Sequence, residues 1–71
     1  MKISARNQLA GRVVSVEHGA VMSTVVIRLD GGADVVAAIT KDSASHGLDL
    51  AEGDQVVAVI KSTDVMVAKD N

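Results

Sequence analysis

From Val21 to Leu29 the chain alternates: Val21, Ser23, Val25, Ile27 and Leu29 interleave with Met22, Thr24, Val26 and Arg28 before the run stops at Asp30-Gly31-Gly32. Successive side chains of a strand point to opposite faces, so this period of two predicts a long strand, apolar on one face and mixed on the other. Glycine reaches positive φ without steric cost, which makes Asp30-Gly31-Gly32 a hairpin turn. The strand that returns, Ala33 to Ile39, is apolar on both faces around Val35, Val36, Ala37 and Ala38. A strand of that kind is buried on both sides. Ahead of the alternating run, Leu9 to Val16 reads as a first strand closed by the turn Glu17-His18-Gly19.

Thr40-Lys41-Asp42-Ser43-Ala44-Ser45-His46-Gly47 breaks the strand pattern. Thr40 suits an N-cap and Gly47 a C-cap, so a short helix of about two turns is expected between them. Leu48 to Asp54 is a turn into a fourth strand, Gln55 to Lys61, and Ser62-Thr63-Asp64 is a tight corner before a fifth, Val65 to Ala68. Five strands with one short helix between strands 3 and 4 predict an all-β chain, a five-stranded OB-like Greek-key barrel. A simple β-sandwich is the alternative at this level.

Seventy-one residues make one domain, 1–71, with a thin core. A chain of this size buries only about 60% of its unfolded surface. Disulfides and zinc sites are the usual supplements, and there is no cysteine. Phe, Trp, Tyr and Pro are absent too, although 48% of the residues are hydrophobic. Homo-oligomerisation is therefore the expected way to bury more surface. A net charge of −2 and the lack of aromatic stacking platforms argue against a nucleic-acid partner, and none is expected. No apolar run approaches a membrane span and no signal peptide is visible, which predicts a cytoplasmic protein without a membrane partner.

Two segments carry most of the chemistry. Ser4-Ala5-Arg6-Asn7 near the start and Lys61-Ser62-Thr63 near the end each join one cation to small hydrogen-bond donors. A guanidinium binds oxyanions bidentately, and an ammonium adds a compact charge. Thr40, Ser43 and backbone N–H groups could extend the donor set. Brought together, such groups would hold a small tetrahedral oxyanion, though small polar residues flanking strands are usually turn residues or caps. His18 reads as a turn residue and His46 as a cation late in the helix. Asp42, Asp49, Glu52, Asp54 and Asp64 read as solvated turn carboxylates, and Met22 and Met66 as packing residues. No nucleophile–base pair is apparent, so an enzyme is not expected.

Ser4-Ala5-Arg6-Asn7-Gln8-Leu9 followed by Gly11 and Val13 resembles the opening of the molybdate-binding Mop domain, the domain of the molbindins (Mop/TOBE type). The likeness continues through Gly19-Ala20-Val21-Met22, Ala37-Ala38-Ile39-Thr40 with Ser43, Leu48-Asp49-Leu50, Gly53-Asp54 and Ala58-Val59-Ile60-Lys61-Ser62-Thr63. It implies a molybdate or tungstate ligand with no organic cofactor and no direct protein–metal bond, in a storage or homeostasis role. It implies further a homo-hexamer, a trimer of dimers, with anions at subunit interfaces. By position, Ser4 and Arg6 of one subunit would meet Thr40, Ser43, Lys61 and Ser62 of a neighbour, with Ala5 and Asn7 contributing through backbone or local support. A second anion site would fall near the turn His18, Gly19, Ala20 and Val21. A structural or regulatory interaction module of the same fold is the alternative function.

Overall fold

The structure, a computed structural model, describes residues 2–70. Its strands are β1 (Asn7–His18), β2 (Met22–Leu29), β3 (Asp34–Thr40) and β4 (Gln55–Ile60). They form one antiparallel sheet in the spatial order β3-β2-β1-β4. β1 serves two neighbours: Asn7 to Arg12 pair with β4, and Gly11 to His18 pair with β2. Between Val13 and Ser15 the register with β2 slips by one residue. A bulge of this type bends its strand and strengthens the twist. The sheet consequently curls around the inward side chains of Val13, Val25, Ile27 and Ala58, which form the core.

Gly11 stands where β1 has a neighbour on each side. A Cβ there would lie 2.5 Å from the Arg28 carbonyl oxygen and 2.9 Å from Ile27 Cγ2. Only glycine lets the strands approach so closely. The β2–β3 hairpin closes as its sequence predicts. Leu29 N–H donates to the Ala33 carbonyl and Gly32 N–H to the Leu29 carbonyl, both at 2.8 Å, with Gly32 at φ 102°. That is a three-residue loop whose last residue takes the left-handed conformation.

The expected all-β, OB-like class is the class observed, with differences at the ends of elements. β1 extends further in both directions than Leu9 to Val16, because β4 pairs with its first half and β2 with its second. Thr40 does cap a short helical turn: its Oγ1 accepts the Ser43 N–H at 3.1 Å. The turn is wide over Ser43–Gly47, and Gly47 is not its left-handed terminator. Leu48 N–H and Leu50 N–H instead satisfy the carbonyls of Ser43 and Ala44, and Asp49 takes the positive φ. The expected fifth strand, Val65 to Ala68, follows a 3-10 turn at Ser62–Asp64 and pairs with no strand of this chain. A strand requires an open edge beside it as well as a suitable sequence.

On the outer face Arg28 Nε and Nη2 donate to the Asp34 carboxylate at 2.9 and 3.2 Å. These hydrogen bonds, assisted by the guanidinium charge, hold the Asp34 carboxyl below its ordinary range. A carboxyl depressed in the folded state stabilises above its unfolded pKa and loses that contribution as pH falls through the folded one. Wild type should therefore melt slightly above Asp34→Asn at neutral pH, and the gap should close below about pH 4. Thermal melts of both proteins across pH check this, and both side chains are solvated, so the effect is small.

Candidate functional site

β1 and β4 bring the two cationic segments to one corner. The last rung of their ladder pairs Asn7 with Ile60, so Arg6 and Lys61 are the next residues out, just beyond the ends of the two adjacent strands. Asn7 Nδ2 donates to the Ile60 carbonyl at 3.3 Å and ties the two segments together. Gln8 Nε2 donates to the Ala5 carbonyl at 2.8 Å and fixes the turn from Ser4 into the strand. Ser4, Arg6, Lys61 and Ser62 are exposed, while Ala5 and Asn7 are half-buried. None of the four exposed residues has a described side-chain partner within the chain. The corner therefore offers two cations and several hydroxyl, amide and backbone donors to an external acceptor. By the resemblance, Arg6 of one subunit would meet Lys61 of a neighbour; within one chain the β1–β4 ladder ends with the same two residues at one corner.

Thr40 and Ser43 are elsewhere. Thr40 pairs with Met22, beside the His18 end of β1, whereas Lys61 follows the Asn7 end. The Thr40 hydroxyl donates to Ser43 Oγ at 2.7 Å, and both residues are exposed. No described hydrogen bond joins this pair to the Arg6–Lys61 corner.

The His18-Gly19-Ala20-Val21 turn is held at both ends. Gly19 N–H donates to the Met22 carbonyl at 2.8 Å, and Lys41 N–H to the Val21 carbonyl at 2.7 Å. His18 Nδ1 lies 2.6 Å from Ser23 Oγ, and Ser23 is the buried polar residue of the core. This pairing is absent from the sequence reading, although the outward turn and inward Ser23 of the alternating run are its only signal. Ala20 and Val21 line a shallow cavity of about 300 Å³ with Lys41, Asp42, Ser45 and His46. Its charges are mixed, since Lys41 and Asp42 both line it, and His46 Nδ1 lies 3.1 Å from Asp42 Oδ1. Among the described residues no group of three or more His, Cys, Asp or Glu side chains could hold a metal ion. Among the described residues no helix is long and apolar enough to cross a membrane.

The family profile described as TOBE domain matches residues 3–67. The chain is 51% identical over 67 residues to molybdenum-pterin-binding protein 3 of Clostridium pasteurianum, covering 94% of this chain and 97% of that protein. Its fold is similar to a molybdate-binding protein from Sporomusa ovata, with TM-score 0.89, 45% identity, and coverage of 97% of this chain and 100% of the other. It is similar also to the cytoplasmic molybdate-binding protein ModG, with TM-score 0.81, 39% identity, and coverage of 87% of this chain and 43% of that one. A profile match over nearly the whole chain, with full-length relatives of such identity, makes this chain a member of the TOBE domain family, in the form of a single Mop-type domain.

Proposed function

We propose that the chain is a non-catalytic, cytoplasmic binding protein for molybdate or tungstate, serving storage or homeostasis. The observation that supports the reading is the Asn7–Ile60 rung, just beyond which Arg6 and Lys61 follow at a corner rich in unengaged donors. A fully oxygenated dianion accepts hydrogen bonds at every oxygen and needs charge partners once it leaves water. Relatives over the full length named as molybdenum- or molybdate-binding proteins supply the identity of that anion. Thr40 and Ser43 lie toward the other end of β1, so a pocket that includes them draws on a second chain. That supports anions bound at subunit interfaces of a homo-oligomer, a hexamer built as a trimer of dimers. The second site, at the His18–Val21 turn, is supported only by the exposure of its four residues.

Calorimetric titration of the folded oligomer with molybdate, tungstate and sulfate tests the proposal. Saturable heat is expected with the first two. No heat with either overturns it and leaves the interaction-module reading, which capture of a protein partner independent of molybdate would then support.

A further inference from the structure

One rung of the sheet runs through all four strands on the outer face. Gln55 of β4 pairs with Arg12 of β1, Arg12 with Arg28 of β2, and Arg28 with Asp34 of β3. All four residues are exposed, whereas Val13 and Ile27 beside them face the core. Side chains paired directly across an antiparallel ladder start about 4.5–5.5 Å apart at Cβ, and like charges so placed repel. Arg28 is relieved by Asp34, to which its Nε and Nη2 donate at 2.9 and 3.2 Å. Its remaining N–H groups are not engaged there. Among the described residues Arg12 has no side-chain partner at all.

The β2–β3 loop turns this rung into a cleft. Arg12, Arg28 and Gln55 line a cavity of about 300 Å³ together with Asp30 and Gly32. Asp30 N–H donates to the Ala10 carbonyl at 3.1 Å, which carries the β1 pairing one step past Leu29. Alternation then sets the Asp30 side chain on the same face as Arg28. At Gly32 nothing lies within 4 Å of the place a Cβ would take, so the loop leaves the mouth of the cleft open. Among the described residues neither the Asp30 carboxylate nor the Gln55 carboxamide has a hydrogen-bond partner.

Such a set of groups selects among anions. Two guanidiniums on adjacent strands and a carboxamide present donors from different directions, which a tetrahedral oxyanion satisfies with separate oxygens. The ionised carboxylate of Asp30 only accepts hydrogen bonds. A fully ionised oxyanion such as sulfate or molybdate has no proton to offer it and is repelled. Inorganic phosphate keeps a proton at neutral pH, so its hydroxyl donates to a carboxylate while its other oxygens accept.

We propose that the Arg12–Arg28–Asp30–Gln55 cleft is a site for hydrogen phosphate. Arg12, Arg28 and Gln55 donate to its oxygens, and Asp30 accepts the hydrogen bond from its hydroxyl. The bound charge also offsets the repulsion between the two paired arginines. Arg12 is five residues along β1 from Asn7, roughly 17 Å. The cleft and the Arg6–Lys61 corner are therefore separate, and neither proposal depends on the other.

The full chain, in the assembly it forms, is titrated at neutral pH with inorganic phosphate and separately with sulfate. Excess molybdate is present throughout to occupy the corner. Two-dimensional NMR follows the arginine Nε–H signals, the Gln55 carboxamide and the amides of Asp30, Gly31 and Gly32. Phosphate is expected to move the Arg12, Arg28 and Gln55 signals saturably and to bind about tenfold more tightly than sulfate, or better. Arg12→Gln should weaken phosphate by about tenfold or more while molybdate binding is unchanged. Asp30→Asn should erase most of the preference over sulfate, because a carboxamide donates to an ionised oxygen. No saturable shift with phosphate, or shifts confined to Arg6 and Asn7, overturns the site. Equal binding of sulfate by wild type, or an undiminished preference in Asp30→Asn, overturns the role of Asp30 and with it the assignment to phosphate.

Discussion

Arg6→Ala is expected to lower molybdate affinity by about 10- to 150-fold, the equivalent of losing one hydrogen-bonded charge partner worth about 1.5–3 kcal/mol. Lys61→Ala is expected to cost a similar factor, since the proposed site sets both cations on one anion. The two losses should not add, because each cation compensates in part when the other is gone; side chains that share one ligand are coupled. Arg6→Lys separates charge from geometry. It keeps the positive charge and loses the planar fork, so it should fall between wild type and Arg6→Ala. Lys69→Ala, in the polar tail, should bind as wild type does. Titration calorimetry on each folded variant reads all four, and equal affinity for Arg6→Ala and wild type would remove the corner from the site.

Gly11→Ala has the largest expected effect on stability. The added Cβ meets the Arg28 carbonyl oxygen at 2.5 Å, and backbone cannot move aside as the end of a flexible side chain can. Relief requires β1 and β2 to separate at the place where β1 is also paired with β4. Overpacking of this kind costs typically 1–3 kcal/mol, and the upper end applies here. For a domain of this size about 3 kcal/mol is a fall of roughly 12–24 °C in Tm. Gly31→Ala is the control, because nothing lies within 4 Å of a Cβ at Gly31. The two proteins must be melted at one concentration, since assembly makes Tm depend on it.

Local structure was legible in the sequence, and non-local structure much less so. The β2–β3 hairpin needed only an alternating run and a glycine turn, both contained within a few residues. Thr40 as a cap followed from its neighbours in the same way. Val65–Ala68 shows the limit: its sequence suits a strand, but the edge it would join is set by chain topology. The corner was legible as two matching donor segments and, through the resemblance, as an anion site. That Arg6 and Lys61 adjoin within one chain depends on the Asn7–Ile60 register, which no residue type announces. Gly11 read only as part of a motif, because its close contact belongs to Ile27 and Arg28 on another strand.

The double pairing of β1 also orders the assembly of the fold in time. β1 meets β2, and β2 meets β3, across short turns, so these rungs form at little cost in chain entropy. The rungs to β4 wait for a much longer loop, and the Asn7–Ile60 hydrogen bond spans 53 residues. Contacts of such range form slowly. The corner that holds Arg6 and Lys61 is thus the last part of the sheet to zip and the first to fray. An anion bound there, as proposed, would act as a clasp on that seam, and its grip should register as slowed amide hydrogen exchange along β4 well before any change in the hairpin.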